Sequence, residues 1–269
     1  MLNLYAQSLA ALLGAGFTVL FAAIFAVQFV ALECGFRLGL RQHRRDNEPV
    51  KEGVPTLTAG MLGLLSFTLG LTISFAQTRF EARRDSVLTE ANTIGTAWLR
   101  AGLLGGDNGT NLHHLIETYA NTRLAFAQAD NAAAAEHDVA LGNTRQTEIW
   151  NLASDAARAN PTPITALVVA SLNDMIDASL SERFTFTSGL PAQVGLMLLA
   201  GSVLALGATG FQLGLDGRRR LALTALLLAM WTGGMTVTAD LSNPRLGEIR
   251  ATARPLIWTI QGFSGAMGK

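Results

Sequence analysis

Residues 54–84 read VPTLTAGMLGLLSFTLGLTISFAQTRFEARR. The part from Val54 to Thr78 carries no charged side chain, and a helix needs about 20 such residues to cross the hydrocarbon core of a bilayer. Charge returns at Arg79, yet from there to Leu104 there is no proline, and only Gly95 and Gly102 are weak points among many Ala, Glu, Arg and Leu. The spacing therefore predicts one long rod that begins at Pro55, a residue tolerated in a helix's opening turn, and leaves the membrane at about 1.5 Å per residue. Phe80, Val87, Ala91, Ile94 and Trp98 form an apolar stripe along the emergent part, which requires a partner.

Three other stretches are also free of charge: Leu2–Leu32, Phe184–Leu215 and Leu221–Ala239. A backbone in lipid must satisfy its own hydrogen bonds, so four closed helices are expected. The fold class is an all-α membrane protein: four transmembrane helices with a helical extramembrane bundle between helices 2 and 3. Residues 1–78 would hold the first transmembrane pair (spans at about 9–32 and 55–78). Residues 79–183 would form the middle domain, and 184–240 the second pair (spans at about 190–212 and 220–239), followed by a tail at 241–269. Within the middle domain, the turn formers Gly105–Asn111 break the chain, and helices are expected at about 112–129, 144–158 and 164–184. The alanine-rich 131–140 reads equally as helix or loop. The emergent rod at 79–104 and the last of these helices should both be continuous with membrane helices. The tail segment Pro255–Ile260 is too short to span and is expected at the interface or against the bundle.

Composition agrees with this frame: 49% hydrophobic and 15% charged residues, with a mean hydropathy of +0.31. A formal charge of zero marks no nucleic-acid partner. The single cysteine, Cys34, excludes an intramolecular disulfide and a cysteine-based metal cluster. The first apolar run lacks a basic start and a small-residue cleavage site, so it is expected to be a retained helix rather than a signal peptide; no lipidation motif is expected at either end. The expected location is the inner (plasma) membrane, multi-pass. Arg37, Arg41, Arg44, Arg45, Lys51 and Arg218–Arg220 lie on one face and seven arginines on the other, which leaves orientation open.

No enzyme is expected, and no cofactor. His113 and His114 precede Glu117 at helical spacing, but a solvated face explains them better than a metal. Asp174 and Asp177 read as capping or ion-pairing groups. There is neither a nucleophile elbow nor a phosphate loop. The second span is more informative. Thr56, Thr58, Gly60, Gly63, Ser66, Thr68, Gly70, Thr72 and Ser74 are threaded between large residues. Two readings stand: a packing seam, in which small residues let helices approach closely, or a pore lining with a hydrophobic gate. Gly63, Phe67, Leu71 and Phe75 form one row at i, i+4 spacing.

The run Phe67-Thr68-Leu69-Gly70-Leu71 with Arg79-Phe80-Glu81-Ala82-Arg83 resembles the second-helix signature of bestrophins. Glu90–Arg100, Leu172–Asp177 and Asp240–Gly247 resemble more closely the bacterial bestrophin-like family of formerly unknown function, DUF4239. The resemblance implies a homopentamer in membrane lipid, whose second helices ring a pore for small inorganic ions, chloride first. It puts Gly63, Phe67 and Leu71 at the neck, with Phe75 beyond, and Arg79, Glu81, Arg83 and Arg84 at the exit, where the arginines would pair with Glu81, Asp85 and Glu90. The chain departs from the pattern in two ways: glycine replaces a bulky first neck residue, and Asp240 stands without the acidic run of an animal calcium clasp. Charge cuts across the ion preference as well, because Arg79–Arg183 holds eight arginines against thirteen carboxylates, a formal −5. A non-conducting module that binds a partner or senses stress, and a cation-selective pore of the same architecture, are the alternatives.

Overall fold

A computed structural model describes residues 2–44 and 53–266; Arg45 and Lys51 lie outside them. Among the described residues the helices are α1 (Leu2–Gly14), α2 (Phe17–His43), α3 (Val54–Ala101), α4 (Gly106–Gln128), α5 (Ala132–Ala159), α6 (Pro163–Thr187), α7 (Ala192–Leu215), α8 (Leu221–Ser242) and α9 (Arg254–Ala266). Four helical stretches are long and apolar enough to cross a membrane, those of α2, α3, α7 and α8, and the chain is a multi-pass all-helical membrane protein. At about 1.5 Å per residue the 48 residues of α3 run about 72 Å, more than twice the roughly 30 Å hydrocarbon core.

The chain divides into two units. The first comprises residues 2–44, 53–78 and 189–249, with α1, α2, the first half of α3, α7 and α8. Its apolar core is built on Leu20, Leu32, Leu65, Leu198, Leu206 and Leu228. The closest packing is between α2 and α7. A Cβ on Gly35 would collide with the Gly207 carbonyl, one on Gly39 with that of Phe211, one on Gly210 with that of Leu32, and one on Gly214 with that of Phe36. The two backbones touch through glycines, as lipid-embedded helices do in the absence of a hydrophobic drive. Beside this seam, the buried Gln28 ties three helices together. Its amide nitrogen donates to Ser202 Oγ (3.3 Å) and Met235 Sδ (3.1 Å), and its oxygen accepts from Thr232 (2.9 Å).

The expected single first helix at 9–32 is divided at Ala15-Gly16. Gly16 has φ +106°, a conformation side chains with a Cβ rarely adopt. The Phe17 N–H that opens α2 donates to Glu248 Oε1 at 3.0 Å. A carboxylate from the far end of the chain thus satisfies an amide at the start of the first crossing.

The second unit, residues 79–188 and 250–266 of the described chain, contains the rest of α3, α4, α5, α6 and α9. The stripe Val87, Ala91, Ile94 and Trp98 is buried here against Leu112, Ile116, Tyr119, Ile149, Leu172 and Met175. Of residues 131–140, readable as helix or loop, 132–140 belong to helix α5, which is capped by Asn131, whose side chain accepts from Ala134 N. Thr162 and Thr165 form a reciprocal cap around Pro163 at the head of α6. α6 stops at Thr187 and α7 starts at Ala192, with Pro191 at its N-cap, so residues 188–191 interrupt the expected continuous helix. The tail is a helix docked on this unit: Leu256 and Phe263 are buried, Phe263 stacks on Trp98 (4.9 Å), and Thr259 donates to the Ala91 carbonyl.

Candidate functional site on the long helix

The membrane half of α3 has two unlike faces. Thr58, Leu65, Leu69, Thr72 and Ala76 are buried, at spacings of 7, 4, 3 and 4. On the other side Leu57, Leu64, Phe67, Leu71 and Phe75 stand open, with Phe67 66% and Phe75 63% exposed. Gly63 extends the Phe67, Leu71, Phe75 row, and a Cβ there would meet no atom within 4 Å; the same holds at Gly60 and Gly70. The glycines of this span therefore do not form a packing seam among the described residues. That duty falls to the glycines of α2 and α7.

Four hydroxyls in the membrane half of α3 are satisfied along their own helix, whereas the buried Thr58 Oγ1 has no partner among the described residues. Ser66 donates to the Leu62 carbonyl (2.8 Å), Thr68 to Leu64 (2.8 Å), Thr72 to Thr68 (2.7 Å) and Thr78 to Ser74 (3.0 Å). Each has spent its only proton and presents an acceptor oxygen.

Beyond Thr78 the charged residues separate. Arg79, Glu81 and Arg84 are exposed, whereas Arg83 is buried in register with Val87, Glu90 and Ile94. Burial, and then the neighbouring Arg79, hold the Arg83 pKa below the usual guanidinium range. The exposed charges beyond the apolar row are thus Arg79, Glu81, Arg84 and Asp85.

Glu90 does not serve the neck arginines. It accepts from Arg123 Nε (2.5 Å) and Nη2 (3.3 Å), while Glu182 Oε2 accepts from the same Nη2 (2.5 Å). All three side chains are buried, with Glu90 and Glu182 at 0% exposure. Tyr119 donates to Glu90 (3.5 Å), and Gln146 donates to both Tyr119 Oη and Ser179 Oγ. Two carboxyls share one guanidinium, and Glu182 Oε1 has no donor. Burial first, and the nearby Glu90 second, raise the Glu182 pKa well above the ordinary 4.5. Burial alone would lower the Arg123 pKa, but Glu90 and Glu182 outweigh it and hold the group above its usual range. This node joins α3, α4 and α6, and no local spacing announces it.

The other candidates have structural duties. His113 Nε2 lies 2.8 Å from the Trp98 carbonyl, its ring stacks on the Trp98 indole at 4.2 Å, and Glu117 accepts from Trp98 Nε1 at 3.0 Å. His113 and Glu117 thus clasp a tryptophan. Asp177 accepts from Asn173 one turn earlier. Asp240 is buried, and its two oxygens accept from the backbone N–H groups of Glu248 and Ile249, both at 2.8 Å. The loop after α8 is held by its own amides where a cation could have held it.

No family model matches the chain, and no curated protein matches it. Solved structures do. A bacterial Bestrophin homolog from Klebsiella pneumoniae, in a single-mutation form, superposes with a TM-score of 0.67 at 12% identity, covering 94% of this chain and 99% of that one. Another mutant of the same homolog gives 0.63 at 13% identity, covering 93% and 98%. A structure described as a membrane protein gives 0.65 at 12%, covering 90% and 99%. The chain has the bestrophin-like fold over nearly its whole length, with little sequence in common.

Proposed function

We propose that this chain is a non-enzymatic ion channel subunit of the bacterial inner membrane. Several copies, five by resemblance to bestrophins, stand with α3 around a common axis. The observation that carries this reading is the open row on α3. Gly63, Phe67, Leu71 and Phe75 are exposed on one side of a span whose Gly60, Gly63 and Gly70 meet no neighbour among the described residues. Phe67 and Leu71 form the narrow neck, which gates by excluding water, while Gly63 leaves a wider approach and Phe75 lengthens the apolar throat. Arg79, Glu81 and Arg84 ring the exit; the buried Arg83 takes no part in that ring. The bestrophin-like fold supports conduction of an anion such as chloride.

A cation-selective pore is the second reading, and two observations favour it. Residues 79–183 carry a formal −5, and the hydroxyls of Ser66, Thr68 and Thr78 offer acceptors rather than donors. Purified protein in liposomes decides between them: under a salt gradient, the reversal potential follows the chloride gradient or the cation gradient. Phe67→Ala with Leu71→Ala should raise the flux severalfold. Absence of flux from folded oligomers, or monomers and dimers in detergent, would favour a non-conducting module that binds partners through its second unit.

A further inference from the structure

A groove on the first unit lies between α2 and α8, apart from the row on α3. Phe25, Phe29, Leu32 and Phe36 of α2 line one wall, and Leu221 and Ala225 of α8 the other. Both helices are long and apolar enough to cross the bilayer, so hydrocarbon is the medium along the groove. Its end is basic. Arg219 and Arg220, in the connection from α7 to α8, close it, and the C-terminal turns of α2 bring Arg37, Arg41 and Arg44 to the same end of the first unit.

These arginines are not equivalent. Arg219 donates twice to Glu33 (3.1 and 3.0 Å) and lies 4.3 Å above the Phe36 ring. Glu33 also accepts from Arg37 at 2.8 Å. The carboxylate at the groove is thereby spent on two guanidiniums, and Arg219 is fixed as part of the wall. Arg220 is exposed, and among the described residues no acidic side chain pairs with it. It is also the N-cap of α8 and gives that helix no side-chain cap, so the first amides of a 22-residue helix point towards the same place.

We propose that this groove binds one anionic glycerophospholipid, its phosphate held by Arg220 and the opening amides of α8, and one acyl chain laid between α2 and α8. A neutral headgroup would leave a guanidinium and a positive helix end uncompensated at the membrane surface. A soluble phosphate would leave the apolar walls facing lipid without a specific occupant.

Native mass spectrometry of the detergent-purified full chain, titrated with phosphatidylglycerol or phosphatidylcholine, tests this. The wild type should retain phosphatidylglycerol preferentially. Arg220→Gln, at an exposed position that folding does not need, should lower that retention about fivefold, the worth of one basic group near an anionic surface. Ala225→Trp, which fills the groove and leaves every charge in place, should lower it as well. Equal retention of the two lipids, or Arg220→Gln within twofold of the wild type, would overturn the proposal. Displacement of phosphatidylglycerol by glycerol phosphate alone would do the same, since it would make the site a headgroup site without an acyl chain. Crosslinking of groove residues between copies, with no lipid retained, would mean that a second subunit is the occupant.

Discussion

Replacing Arg123 by methionine keeps most of the stem volume and removes the one cation between two buried carboxyls. Glu90 and Glu182 are fully buried, and Glu182 already has an oxygen without a donor, so nothing in the core can take over the guanidinium's role. Breaking a buried ion pair in this way costs about 3–5 kcal/mol, most of it the penalty of leaving charge uncompensated. For a unit of this size that corresponds to a fall in melting temperature of roughly 10–20 °C. Glu182→Gln changes the same node in the other direction: it keeps an acceptor for Arg123 and removes one of the two competing carboxyls. Because the folded state raises the Glu182 pKa, this group's contribution is full below about pH 4.5, its ordinary value, and is lost as pH rises through the folded value. Wild-type protein should therefore lose stability with rising pH above that point, and Glu182→Gln should flatten the loss while costing about 1 kcal/mol or less at neutral pH. Intrinsic fluorescence during heating in a fixed detergent reports it, since Trp98, Trp150 and Trp258 belong to this unit. The reasoning fails if Arg123→Met melts within about 2 °C of the wild type, or if Glu182→Gln is equally damaging.

Further outcomes follow from local geometry. Gly210→Ala or Gly35→Ala drives a methyl group into a carbonyl of the facing helix and should cost about 1–3 kcal/mol, seen as lower folded yield and melting temperature. Gly60→Ala, in open space on α3, should be neutral or slightly stabilising in the same assay. Asp240→Asn weakens the two amide contacts that fold the loop after α8 and should cost about 1–3 kcal/mol; neither calcium nor a chelator should shift the melting temperature of the wild type.

Much of the architecture was legible in the sequence because lipid makes a local demand. A crossing helix must be apolar over its own length, so the charge-free runs mark α2, α3, α7 and α8 directly. The continuation of α3 past Thr78 is readable for a similar reason: no proline stands between Arg79 and Leu104, and the helix runs on to Ala101, just before the weak point at Gly102. Features that depend on distant partners were not readable. The break at Gly16 is secured by Glu248, 231 positions further along. Glu90 seemed available to arginines a few turns away on its own helix, yet its partner is Arg123 on α4. The glycine seam does leave a trace in the sequence: Gly35 with Gly39, and Gly210 with Gly214, are each small residues at i, i+4, the spacing that brings membrane helices together. Gly60, Gly63 and Gly70 in the membrane half of α3 have no such contact among the described residues.

The central claim is that Phe67 and Leu71 face an ion pathway shared by several copies of α3. Leu71→Cys in a Cys34→Ser background, reconstituted in a planar bilayer, tests it most directly, because the native thiol is exposed and must be removed. A small, charged, water-soluble thiol reagent should reach Cys introduced at the neck and cut the current by more than half, with no effect on the Cys34→Ser parent. Unchanged current despite complete labelling, or labelling by lipid-soluble reagents alone, would place this row against lipid and contradict the account.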